Sequence, residues 1–437
     1  MKKFSLYPFA IAASLFVLAA CSDDDNDTPD VPDPGPEPVV PFGPKDNYTY
    51  IDGEGLAMTY NGEPLLGKMV KITPNTQDFA NPTITLTGAA LDLSQIMNQA
   101  APTLAGRATA SDPSFLVSTP GVLPGSPEVS FPITISETDG SFSGEGTTEY
   151  CSYKYSGTWS ETDGMTLQLS DVTLLDQTLG GTSWELPKTK NEDYVPGWEE
   201  YYGPEWNYTG IYVKWESATE LDLQGWKMPI QSIIDLVFAF TKVEVGDQSV
   251  GLQTALGLVL NDITFTEDGN IIATYLDEET GSFAVSPKNI AQYVVDNGVF
   301  KLFLNPQAIM AHELAIAEQA SRADDGTGLD VEAIMTSLMG LMQNYMPYVE
   351  NGFPLIINRQ EEGAMTLYLG TEFMMPIMSA AASLLSQPAI IAMIKEAVAD
   401  DPIMGSMGEM FDTMLPQLPG IVETTTALEV GLNLSKK

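Results

Sequence analysis

Residues 141–174 read SFSGEGTTEYCSYKYSGTWSETDGMTLQLSDVTL, and this stretch decides the fold class. Ser141–Tyr150, Cys151–Glu161 and Met165–Leu174 each carry a strand pattern, and Asp163-Gly164 supplies a tight turn between the last two. Asp139-Gly140 turns the chain into this stretch from another strand pattern, Val129–Ser136. Antiparallel neighbours need only such turns, whereas parallel neighbours need long crossovers. Cys151 falls inside the alternating pattern, so its thiol is expected to be buried and inert.

The same grammar extends in both directions. Asn61-Gly62 follows a strand pattern at Asn47–Tyr60, and Leu66–Thr73 and Pro82–Thr87 come next. Leu91–Gln99 reads as a short helix and 100–127 as a long irregular loop. In the second half, strand patterns recur at Tyr208–Glu216, Leu258–Thr266, Asn270–Leu276, Ser282–Ser286, Ala291–Val295, Val299–Leu304, Phe353–Asn358 and Ala364–Leu369. Glu267-Asp268-Gly269 and Asp296-Asn297-Gly298 read as turns among them. Within Pro229–Lys242, Ile230, Ile233, Ile234, Val237 and Phe238 recur at helical spacing. Pro306–Ser321, Asp330–Tyr345, Met375–Val398 (broken at Pro388) and Pro402–Met414 are also helical in character. Thr424–Leu434 closes the chain as a strand that would seal a barrel against its first strand.

The expected fold is therefore mainly β with helical insertions. It comprises two antiparallel barrel-like domains, 47–190 and 207–437, the second with several helices, joined by an aromatic linker over 191–206. Tyr48-Thr-Tyr-Ile-Asp-Gly-Glu-Gly-Leu56 and Asn207-Tyr-Thr-Gly-Ile-Tyr-Val213 resemble the first strands of calycin-like (lipocalin-like) barrels found in uncharacterised Bacteroides lipoproteins. The resemblance implies a calycin-like architecture for most of residues 47–437.

The opening residues speak to location. Lys2 and Lys3 precede an apolar run, Phe9 to Val17, that is too short to span a bilayer, so residues 1–20 read as a signal peptide. Leu18-Ala-Ala-Cys21 resembles the bacterial lipobox, which implies cleavage before Cys21 and its acylation. Residues 21–46 form an acidic, proline-rich tether with Pro29, Pro32, Pro34, Pro36, Pro38 and Pro41 spaced through it. Such a segment buries too little apolar surface to fold and should be extended and self-repelling. Ser22-Asp23-Asp24-Asp25 resembles the surface-export signal of Bacteroides-type lipoproteins. That implies a lipid-anchored, surface-exposed place on the outer membrane.

Composition narrows the partners. The chain of 437 residues carries 59 acidic and 19 basic residues, a formal charge of −40. That field repels phosphate backbones and argues against a nucleic-acid partner. With Cys21 acylated, Cys151 has no partner in the chain and no disulfide framework is expected. His312 is the only histidine, which argues against a Ser-His-Asp triad or a multi-histidine metal site. No cofactor is expected.

Two clusters stand out as binding candidates. Tyr194, Trp198, Tyr201, Tyr202, Trp206, Tyr208, Tyr212 and Trp215 crowd the junction of the halves, where they serve either as packing or as a stacking platform. Met335, Met339, Met342 and Met346 share one helical face, and Met404, Met407, Met410 and Met414 form a second stripe; both suit a core or an adaptable apolar surface. The residues assigned to ligand binding are Trp198, Tyr201, Tyr202, Trp206, Met335, Met339, Met342 and Met346. Asp412-Thr413-Met414 resembles the O-glycosylation acceptor of Bacteroides-type bacteria, which makes Thr413 a modification candidate. Glu199/Glu200 and Glu278/Glu279 are the adjacent carboxylates available for glycoside chemistry.

The function expected is non-catalytic binding of a glycan or small apolar ligand at the cell surface. The alternatives are a structural or interaction component of a surface protein complex and a carboxylate-dependent glycoside hydrolase. The anchor is directly testable. Cys21→Ala should abolish acylation and release the protein from the membrane fraction, whereas unchanged partitioning would refute the anchor. Replacing Asp23–Asp25 with alanine should keep the lipid but hide the protein from external protease.

Overall fold

The computed structural model describes residues 43–92, 116–117, 119–223, 225–246, 248–277, 280–317, 347–397 and 408–437. The fold is mainly β, 49% strand against 23% helix, and is built on two large sheets.

The first sheet is nine-stranded and curls into a half-barrel. Its strands are β1 (Tyr48–Asp52), β2 (Gly55–Tyr60), β3 (Glu63–Pro64), β4 (Lys68–Asn75) and β5 (Asp78–Gly88). After a two-residue ladder of β6 (Leu91–Asp92) with β7 (Leu116–Val117) come β8 (Glu128–Pro132), β9 (Ser141–Thr147), β10 (Cys151–Ser160) and β11 (Gly164–Leu174). The order is β8-β5-β4-β1-β2-β11-β10-β9, with β3 paired to β2. Alternation drives the strands as read from the sequence: Leu56, Met58 and Tyr60 of β2 are buried, as are Met165, Leu167 and Leu169 of β11. Each such aliphatic side chain stabilises the core by about 1.5–3 kcal/mol. In β11 the phase then slips to Val172 and Leu174. The cause is an extra residue opposite β10, with Asp171 at φ 51°.

Two details differ from the expectation. Leu91, placed in a helix by the sequence, lies in the β6·β7 ladder; residues 93–99 of that segment lie outside the described residues. The sheet is also not wholly antiparallel, because β2 runs parallel to both β1 and β11. Gly53 and Gly55, at φ 79° and 80°, kink the chain between β1 and β2 so that one pairs briefly alongside the other. The β2·β11 pair is closed by the hundred-odd residues between them, a connection that local turn signals do not reveal.

The second sheet has ten strands. It begins with β12 (Thr182–Glu185), before residue 190, so pairing in this sheet starts earlier than the 191–206 linker. Next come the hairpin strand β13 (Lys188–Lys190), α1 (Glu199–Tyr202), β14 (Trp206–Tyr208) and β15 (Ile211–Ser217). A hairpin of β16 (Leu221–Leu223) and β17 (Trp226–Met228) leads into α2 (Ile230–Phe240), where the helical spacing placed it. Then follow β18 (Lys242–Val245), β19 (Gln248–Gly251), α3 (Leu252–Val259), β20 (Leu260–Phe265), β21 (Ile271–Asp277), β22 (Ser282–Val285), β23 (Ala291–Asp296), β24 (Val299–Leu304) and α4 (Pro306–Ala317). The chain ends with β25 (Phe353–Glu361), β26 (Ala364–Leu369), α5 (Thr371–Leu385), α6 (Pro388–Ala397), α7 (Gly408–Met414), α8 (Leu418–Glu423) and β27 (Thr425–Lys436). α5 and α6 bend by 81° at the break before Pro388.

The order is β22-β21-β20-β12-β27-β26-β25-β24-β23, with β15 also on β27. The last strand thus pairs with β12, the first strand of this sheet, and with β15. The sheet curls until β23 meets the start of β21, through the Asn270–Gln292 bridge and a Tyr293 N–H to Gly269 carbonyl bond of 2.8 Å. α2, α5, α6, α7 and α8 cover Trp215 and Leu428 in a separate hydrophobic cluster.

The two sheets share one core. A continuous buried cluster runs from Tyr60, Ile72 and Leu169 of the first to Phe265, Tyr293 and Phe300 of the second. The turn joining β20 to β21 is the wedge. Tyr60 Oη donates to the Asp268 carbonyl, and Asn61 Nδ2 donates to Asp268 Oδ2 at 2.9 Å. The Leu174 N–H donates to the Glu267 carbonyl at 2.9 Å. Asn289 Nδ2 and Asn305 Nδ2 donate to the carbonyls of Pro64 and Leu66 at 2.9 and 3.0 Å. Burial alone would raise the Asp268 pKa; hydrogen bonds from Thr266, Asn61 and Asn270 outweigh it and hold the carboxyl below its ordinary value.

Asp268→Ala should therefore cost about 2–4 kcal/mol in urea unfolding at pH 7, because it strands several half-buried donors at once. A group with a depressed folded pKa stabilises above its unfolded value near 4 and loses that stabilisation as pH falls. The gap between variant and wild type should accordingly narrow toward pH 3. A loss under about 0.5 kcal/mol at pH 7, the range of an ordinary surface change, would contradict the wedge role.

Candidate functional site: an exposed aromatic excursion

β13 and β14 pair through Lys188–Tyr208, Thr189–Asn207 and Lys190–Trp206, and the chain between them projects as an excursion. Asn191 buckles it. Its Nδ2 donates to the Tyr202 and Pro204 carbonyls at 2.8 and 3.0 Å, and its N–H donates to the Glu205 carbonyl at 2.8 Å. The Tyr201 and Tyr202 N–H groups both donate to the Trp198 carbonyl at 3.0 Å, which forms the single turn of α1. Gly197 and Gly203, at φ 80° and 82°, make the bends on either side.

This braced loop carries its aromatic rings outward. Trp198 is 61% exposed, Tyr201 83%, Tyr202 46% and Trp206 36%. The Tyr201 and Tyr202 rings meet edge-on at 5.6 Å. Lys188 Nζ sits 5.7 Å over the Trp206 ring while pairing with Glu185 at 2.9 Å, and Lys190 lies 3.9 Å from Glu205. Both local lysine charges are thus matched by carboxylates, leaving the rings as the dominant exposed chemistry of the excursion.

The structure divides the aromatic run in two. Trp198, Tyr201, Tyr202 and Trp206 come together on the excursion. Trp215 is buried in the helical cluster and donates from Nε1 to Thr425 Oγ1 at 2.9 Å. Tyr212 donates to Glu429 at 2.5 Å and packs 5.5 Å from the Tyr368 ring; burial and then that bond push its hydroxyl pKa well up. Tyr208 packs against Gly257, where a Cβ would lie 2.3 Å from its ring. These three are packing residues. Sequence density could not separate the two sets, because strand phase decides which rings turn inward.

The other candidates are placed as follows. Cys21, Ser22, Asp23, Asp24, Asp25, Met335, Met339, Met342 and Met346 lie outside the described residues, as do Met404, Met407 and the Glu278/Glu279 pair. Met414 packs on the helical cluster. Thr413 is half-buried on α7, its carbonyl accepting from Gln417 Nε2 at 2.7 Å, and the neighbouring Asp412 pairs with Lys395 at 2.5 Å. His312 Nε2 lies 3.4 Å from Tyr275 Oη. Cys151 is buried beside Thr148 Oγ1, and burial raises its thiol pKa. Among the described residues, no group of three or more His, Cys, Asp or Glu could hold a metal ion, and no single helix is long and apolar enough to cross a membrane.

The sequence did not announce a cleft of about 200 Å3 between the sheets, lined by residues that include Tyr150, Leu175, Asp176 and Asp296. Lys301 pairs with Asp296 at 2.6 Å and lies 5.5 Å over the Tyr150 ring. The Lys301 bond is the main cause holding the Asp296 carboxyl below its ordinary value. Its parts come from three distant turns, so no local signal announced it. No family model, curated protein or solved structure matches the chain.

Proposed function

We propose that this protein is a non-catalytic glycan-binding lipoprotein, anchored by Cys21 at the outer-membrane surface and engaging its ligand through Trp198, Tyr201, Tyr202 and Trp206. The two curled sheets are read as calycin-like barrels fused along one seam. The observation that carries the binding role is the set of four large rings left in solvent on one braced excursion. Large rings clustered at the surface mark recognition more often than chance exposure does. Sugar faces stack on such rings while hydroxyls stay hydrated. A small apolar ligand needs an enclosing, mostly apolar pocket, and these rings stand in the open.

One observation favours a second reading, an interaction component of a surface complex. Leu236, Val237 and Phe240 of α2 are exposed together near its C-terminal end. That patch lies on a different element from the aromatic excursion, so one protein can carry both roles.

The glycan reading predicts that Trp198→Ala and Trp206→Ala each weaken binding to a soluble polysaccharide by about 1–3 kcal/mol, the scale of losing one stacking ring. Affinity electrophoresis across a polysaccharide panel finds the ligand and calorimetry measures the loss. The thermal midpoint should stay near wild type for Trp198→Ala, since that ring is mostly in water. Large destabilisation with unaltered affinity would assign the rings to packing instead.

A further inference from the structure

Lys68 opens β4 with its side chain 1% exposed, in a protein whose other described lysines reach solvent. Its Nζ donates one hydrogen bond, to the Pro120 carbonyl at 2.8 Å, and it joins no ion pair among the described residues. An ammonium has three donors and a full charge to satisfy; an amine has two donors and a lone pair. A dry site with one acceptor and no carboxylate in contact suits the amine. The surroundings name the charges that matter. Asp52 of β1 acts on Lys68 from a distance, its Oδ2 accepting from the Gly67 N–H at 3.0 Å. β5 contributes Gly88, the partner of Lys68 in register, and the adjoining chain contributes Thr119 and Pro120. Gln307 of α4 packs on the neighbouring Gly67. None of these last four titrates. Burial pushes the Lys68 pKa down to about 7, against the opposing pull of Asp52.

What Lys68 holds is unusual. Residues 119–124 have no helix or long strand, yet all six are buried. Irregular chain is normally at the surface, because its backbone groups need partners. Here the Thr119 hydroxyl lies 3.0 and 2.9 Å from the Gly67 and Ala89 carbonyls, and Val122 and Leu123 enter the shared core. Pro124 abuts Gly269 of the second sheet, where a Cβ would lie 3.1 Å from its ring. The segment therefore fills the seam between the sheets, and among the described residues Lys68 is the one charged-type side chain bonded to its backbone.

We propose that Lys68 is a proton-coupled latch: as a neutral amine it holds residues 119–124 in the seam, and release of the segment is coupled to uptake of one proton from solvent by that amine. The released lysine regains an ordinary pKa near 10.5. The folded, closed state refuses a proton that the open state accepts in the interval between about 7 and 10.5. The open population therefore rises about tenfold for each unit that pH falls through that interval, and levels off below about 7. A change from alkaline toward neutral pH thus exposes the seam without unfolding either sheet.

Hydrogen exchange read by mass spectrometry on the full mature chain tests this, with rates corrected for intrinsic pH dependence. The peptide covering 119–127 should gain about fiftyfold in corrected exchange between pH 9 and pH 7, while β11 stays unchanged. Lys68→Met, which cannot titrate, should flatten that dependence. An equal dependence in Lys68→Met, or none in the wild type, overturns the latch. If Lys68→Met does not fold, the Cε resonance of Lys68 in wild-type protein gives the second measurement. Titration near pH 7, where the rise in exchange of 119–127 levels off, supports the proposal, and titration near 10 overturns it.

Discussion

The turn at Thr266–Asn270 is the constraint on which the rest of the structure depends. It is the tip of a hairpin in the second sheet, and it is driven into the margin of the first. Its backbone accepts from Tyr60 and Leu174, its Asp268 carboxylate accepts from Asn61, and its Gly269 presses on Pro124 and Leu174. Tyr293 donates to the Thr266 carbonyl at 3.0 Å and stacks on Phe300 at 5.3 Å, which ties the wedge to the interior of its own sheet. Half-buried polar groups are costly when unpaired and valuable when fully paired, so this seam fixes the relative register of the sheets more than its area alone would.

That arrangement explains why the exposed aromatic rings lie where they do. The shared core is filled by side chains from both sheets, and the rings of the excursion stand outside it. β13 and β14 leave the second sheet as a separate two-stranded ladder, which frees the excursion from core packing. Asn191 then supplies the stiffness that a loop of exposed rings would otherwise lack. A braced loop loses less conformational entropy on binding than a floppy one.

Much of the fold is legible in local sequence because its turns are chemically explicit. Asn61-Gly62 and Asn297-Gly298 both take positive φ at each residue, 46° and 87° in the first and 51° and 84° in the second, as the hairpin signal requires. The break at Pro388 and the spacing of Ile230, Ile233 and Ile234 place helix ends and faces for equally local reasons. What local signals do not carry is long-range pairing. The parallel β2·β11 contact, the allegiance of β12 to the second sheet and the hydrogen bonding of Glu267-Asp268-Gly269 to the first sheet all join residues far apart. α3 was hidden because it is only eight residues long, is mostly apolar and merges with the strand that follows. The candidate site was half legible: the aromatic density was visible, but the separation of Trp198 from Trp215 rests on which ring faces a partner sheet.

The central claim is that both sheets are one folding unit joined through the Thr266–Asn270 wedge. Differential scanning calorimetry of the chain addresses it most directly. A shared core predicts a single transition whose calorimetric and van't Hoff enthalpies agree. Two resolved transitions, one for each sheet, would contradict it.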